Sequence, residues 1–74
     1  MNIQQTLQQA EKDVEEANRL LRAQEMEVAR MNLAGLGVTS AQMLLSAFRE
    51  AARLAEERRQ VLQAEIARAM EQWR

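Results

Sequence analysis

Two pairs of acids, Glu15 with Glu16 and Glu56 with Glu57, are the residues here whose types first suggest chemistry. Paired carboxylates can divide general-acid and general-base work. Their spacing works against it, because neighbours in sequence do not face one another on a helix. Gly35-Leu36-Gly37 is the second candidate, as a phosphate-cradling loop. Such a loop needs a strand before it and a Lys after it, and this chain offers neither. Arg59 has no nucleophile or base beside it to assist. The sequence contains no His, Cys or Tyr. Their absence removes the usual zinc, haem and thiolate ligands and the commonest general base. Diiron bundles need Glu-x-x-His on facing helices, and there is no histidine. The expectation is a non-enzyme with no catalytic, cofactor-binding or metal-binding residues.

What must be positioned is therefore a surface. Seventy-four residues suffice for one domain. Apolar residues make up 47%, as in folded rather than disordered chains. Ala, Leu, Met, Gln, Glu and Arg dominate, all strong helix formers, so the fold class is all-α. Ten Lys and Arg oppose eleven Asp and Glu. A net charge of −1 gives no general attraction to nucleic acid or anionic lipid. The opening "MNIQQTLQQAEKD" has no basic segment followed by an apolar core, and no apolar run reaches the length of a membrane span. The expected location is the cytoplasm.

The only two glycines, Gly35 and Gly37, punctuate the middle. Gly35 reads as C′ of a first helix, with Leu36 at C″ and Met31 at C3, the contact pair of a Schellman ending. Gly37 gives the loop a second permissive position. Thr39 reads as the N-cap of a second helix, with Ser40 as the one-residue alternative. Gln42 completes a capping box, and Val38 with Met43 form a hydrophobic staple. The spacing predicts helices over about 2–34 and 39–73, joined by a turn at 35–38.

Each half carries an apolar seam whose spacing alternates four and three. The first is Ile3, Leu7, Ala10, Val14, Ala17, Leu21, Gln24, Val28 and Met31. The second is Ala41, Leu45, Phe48, Ala52, Ala55, Arg59, Leu62, Ile66, Ala69 and Trp73. A sustained repeat of about 3.5 residues is a coiled-coil seam. The short turn makes the helices antiparallel. Val28 then comes level with Leu45, Leu21 with Ala52, Val14 with Arg59, and Leu7 with Ile66. Gln24 and Arg59 interrupt the seams with polar groups, either as residues that set register do or as side chains at a wet edge that reach outward; a third option pairs Arg59 with a carboxylate, Asp13 and Glu16 being nearest. Pairs Glu15–Arg19, Glu27–Arg30, Glu50–Arg53, Glu65–Arg68 and Glu71–Arg74 coat the outside.

The second helix is apolar beyond its seam, and a chain this short seldom buries enough on its own. A second copy is the expected cover, giving a homodimeric four-helix bundle. A different protein is the alternative cover. Leu44, Phe48, Ala51, Leu54 and Ala55 are the expected interface. Trp73 either closes the end of the bundle near Ile3 or anchors a partner. Protein–protein interaction follows as the expected function, as adaptor, chaperone or inhibitor. The hairpin plan resembles the Rop-type hairpins, which implies RNA binding as an alternative, though no basic block interleaves with aromatics here. It is also similar in plan to small secretion-system chaperones and to inhibitors from phage and mobile elements. The secreted WxG hairpins share the plan, but this turn contains no Trp.

Overall fold

Asn2 starts the first helix by satisfying amides that a helix end leaves free. In the computed structural model, which describes residues 2–73, its side-chain oxygen accepts the Gln5 amide at 2.8 Å. The Gln5 side chain in turn accepts the Asn2 amide at 3.1 Å. This reciprocal capping box launches α1, Ile3–Leu33. No such box is expected from the reading above, although Asn-x-x-Gln before an apolar repeat is its sequence signature.

The end of α1 follows the expected geometry residue by residue. Gly35 lies at φ +70°, the left-handed region that costs residues with a Cβ about 1–2 kcal/mol. The Leu36 amide donates to the Met31 carbonyl at 3.0 Å, and the Gly35 amide to that of Asn32 at 3.1 Å. These are the two bonds of a Schellman ending. Gly37 plays no such part. Among the described residues only Gly35 has positive φ, and a Cβ at Gly37 would meet nothing within 4 Å.

The start of α2, Thr39–Gln72, corrects the sequence reading. Thr39 is already the first helical residue, and Val38 takes the cap position with no side-chain cap bond. The Thr39–Gln42 capping box therefore does not form. The Gln42 amide instead donates to the Val38 carbonyl at 2.8 Å. The expected staple is lost with it, since Val38 is the cap itself and Met43 is 70% exposed.

The two helices pack antiparallel as an all-α hairpin. Every α1 seam residue from Leu7 to Met31 is buried or half-buried, and so is every α2 seam residue from Ala41 to Ile66. Among the described residues four apolar ones are buried: Ala10, Val28, Ala41 and Leu45. Three of them, Val28, Ala41 and Leu45, cluster beside the turn with Leu21 and Met31 against them. Ala10, fully buried, marks where a small side chain lets the helices approach closely. Among the described residues no large side chain is fully buried. The hairpin measures 61 × 16 × 14 Å, with a radius of gyration of 17.2 Å. A compact chain of this length has a radius of gyration of about 11 Å.

The turn makes a paired prediction. Gly35→Ala forces a Cβ into left-handed backbone and should destabilise by about 1 kcal/mol. Gly37→Ala should be neutral or stabilise by about 0.5 kcal/mol, by restricting the unfolded chain. Urea denaturation of the two variants checks this, and equal losses would contradict the assignment.

Candidate functional site

Gln24 makes a hydrogen bond from one helix to the other. It is half-buried in the α1 seam, and its side-chain amide donates to the Ala41 carbonyl at 3.0 Å, in the first turn of α2. A hydrogen bond needs one distance and one direction, whereas apolar contacts tolerate sliding. This bond therefore pins α1 against α2 beside the turn.

Arg59, the other polar seam residue, does not reach Asp13 or Glu16. It is half-buried and pairs with Glu56 one turn back on its own helix, with its Nε 3.0 Å from Glu56 Oε2. This pair raises the Arg59 pKa, first through the hydrogen bond; burial opposes it, and the charges of Glu56 and Glu11 add to it. Asp13 is taken instead by Arg58, at 3.6 Å. That cross-helix pair went unanticipated. Its signal was the register, which brings the flank of α1 bearing Asp13 alongside the flank of α2 bearing Arg58.

The remaining ion pairs run along single helices. Arg19 takes Glu16 in a two-point grip rather than the expected Glu15. Arg30 grips Glu27 in the same way. Arg53 holds both Glu50 and Glu57. Glu65 and Arg68 form no ion pair among the described residues, and the expected Glu71–Arg74 pair involves a residue outside them. Hydrogen bonds from arginine hold the carboxyls of Glu16, Glu27, Glu50 and Glu56 below the usual carboxylate range. Exposed pairs of this kind add little to stability.

The broad α2 face separates into two lines. Phe48 and Ala55 are half-buried along the seam with α1. Leu44, Ala51 and Leu54 face outward, with Leu44 46% and Leu54 50% exposed. Val61 is 55% exposed, and Ala47 is exposed between Leu44 and Ala51. Trp73 does not close the hairpin against Ile3: it is 90% exposed, and Ile3 is 42% exposed. In the register that sets Leu7 level with Ile66, Ile3 falls level with Met70, and Trp73 lies three residues further on, past the start of α1. Among the described residues, no group of three or more acids gathers to hold a metal ion, and no helix is long and apolar enough to cross a membrane. The geometry leaves a line of exposed apolar residues along α2, bounded by ion pairs.

No protein-family model matches the chain, and no curated protein or solved structure is significantly similar to it.

Two predictions follow from the seam and its charges. Gln24→Ala removes one partly buried hydrogen bond and should cost about 1 kcal/mol in urea denaturation. The loss stays modest because the Ala41 carbonyl, inside a helix, keeps its bond to the amide four residues on. Gln24→Leu should recover the loss through apolar burial, and a larger deficit in that variant would contradict the seam placement. The second prediction concerns acid. These glutamates have folded pKa values below the ordinary 4.5, so their contribution is present above 4.5 and lost as pH falls through the depressed values. Stability should hold from about pH 7 to about pH 5 and decline below about pH 4, less steeply in high salt. A stability that rises on acidification through this window would contradict the pairings.

Proposed function

We propose that this chain is a small non-enzymatic protein–protein interaction module, acting through the helix faces of an oligomeric hairpin bundle. The observation that carries the reading is the outward line of α2. Leu44, Leu54 and Val61 stand about half exposed on a helix whose other side already packs on α1. Apolar groups left in water forgo about 25 cal/mol for each Å² that a partner covers. The exposed surface supports the same reading. The chain exposes 5748 Å², whereas a compact fold of this mass exposes about 4,700 Å².

The arrangement of charge favours a protein over a polyanion as partner. Arg19, Arg30, Arg53, Arg58 and Arg59 are each engaged by a carboxylate of the same chain. An RNA or lipid surface would have to displace those carboxylates to gain these five of the ten cations.

The test is site-specific photocrosslinking in cells that make the protein. A photoreactive side chain at Leu54 should yield covalent adducts with polypeptide, either this chain or another. The same group at Arg19, on the outer face of α1, should yield far fewer. Adducts with RNA or lipid at Leu54, or equal labelling at both positions, would overturn the reading.

A further inference from the structure

The outward line of α2 has a regularity of its own. Leu44, Ala47, Ala51, Leu54, Arg58 and Val61 are spaced three, four, three, four and three. All six are exposed. This is a second seam repeat on one helix, displaced about 100° around the axis from the seam that faces α1. The corresponding positions of α1, from Thr6 through Gln9, Asp13 and Glu16 to Glu27 and Arg30, are mainly polar. So α2 has packing lines for two neighbours, and α1 for one.

We infer that a second copy of this chain covers α2, packing antiparallel along this second seam, so that α1 stays on the outside of the pair. The inference rests on the interaction reading above and names its partner. The arguments for a second copy are area, symmetry and charge. The surplus surface, on the order of 1,000 Å² over a compact fold, is comparable to the roughly 800 Å² that each partner contributes to a stable interface. The seam is also complementary to itself in reverse. With a two-fold axis between Ala52 and Arg53, Leu44 comes level with Val61 of the second copy, Ala51 with its Leu54, and Ala47 with its Arg58. Each large side chain but Leu44 and Val61 then meets an alanine, as interdigitating layers require. Two-fold symmetry makes each layer twice.

Charge selects the direction. Parallel packing would set Arg58 on Arg58, Glu65 on Glu65 and Arg68 on Arg68 along the axis. Like charges so placed repel. Antiparallel packing sets Arg58 one turn from Glu50 of the second copy. Its guanidinium stays within reach of Asp13, which it already meets at 3.6 Å, while its aliphatic stem lies over Ala47.

Light scattering across a concentration series, with Leu54→Glu and the outer-face control Met26→Glu, tests the occupant. The chain should be a dimer. Leu54→Glu should weaken it about a hundredfold or more, since symmetry buries the change twice, and Met26→Glu should leave it intact. Spin labels at exposed positions test the direction, and because the sequence has no native cysteine they attach only where one is introduced. Labels at Arg53→Cys should lie nearly level across the axis. Labels at Arg68→Cys should be offset by about 46 Å along it. A monomer at all concentrations, a dimer indifferent to Leu54→Glu, or equal label separations at both positions would each overturn the inference. A monomer that still crosslinks to other polypeptides at Leu54 would sink the second copy, and the oligomeric bundle with it, and leave the protein–protein interaction module standing. Adducts with RNA or lipid alone would remove both.

Discussion

Two helices side by side can bury only one line of contact each, and this constraint shapes the rest of the molecule. A residue on the seam of α1 or α2 has the opposite helix on one side and water on the other. That is why half-burial is the rule along both seams and why, among the described residues, no large side chain is fully enclosed. Alanine is useful under this constraint. Where Ala10 disappears from the surface, close approach of the helix axes replaces side-chain bulk as the source of contact.

Polar groups divide the work between local and long-range order. The arginine–glutamate grips at 16–19, 27–30, 50–53 and 56–59 all join residues one turn apart. They favour helix in whatever segment holds them, but they say nothing about which helix packs on which. Two cross-helix polar contacts carry that information: Gln24 to the Ala41 carbonyl near the turn, and Asp13 to Arg58 further out. Apolar seams alone would tolerate sliding by a heptad. A directed bond at one end and an ion pair further along make such a shift unfavourable.

The fold was legible in the sequence wherever a single physical requirement left one solution. Left-handed backbone at the end of α1 requires glycine, and Gly35 supplies it with Leu36 and Met31 in their expected places. Burial along one line requires a four-three spacing, and the residues so spaced turn inward from Leu7 to Met31 and from Ala41 to Ile66. Legibility failed where several side chains compete for similar roles. Thr39, Ser40 and Val38 all lie where α2 could be capped, and the helix begins early enough that neither hydroxyl is used. Arg58 and Arg59 are neighbours with carboxylates within reach on both helices, so sequence alone could not decide which crosses. The outward face of α2 was visible as surplus hydrophobicity. Its division into an inner line with Phe48 and Ala55 and an outer line with Leu44, Ala51 and Leu54 needed the paired helices. Trp73 had two roles open to it, closing the end or anchoring a partner, and it stands exposed.

The position of the buried cluster also has a kinetic meaning. Val28 and Ala41 meet across 13 residues of chain, whereas Asp13 and Arg58 meet across 45. Closing the longer loop from an open chain costs about 1 kcal/mol more in entropy, at about 0.6 kcal/mol for each doubling. Once the short loop is closed, each further turn of helix pair adds contact without closing a new loop. Loop closure therefore favours assembly outward from Gly35, and the contacts of highest loop cost lie towards the opposite end, where Ile3 and Trp73 stand in water.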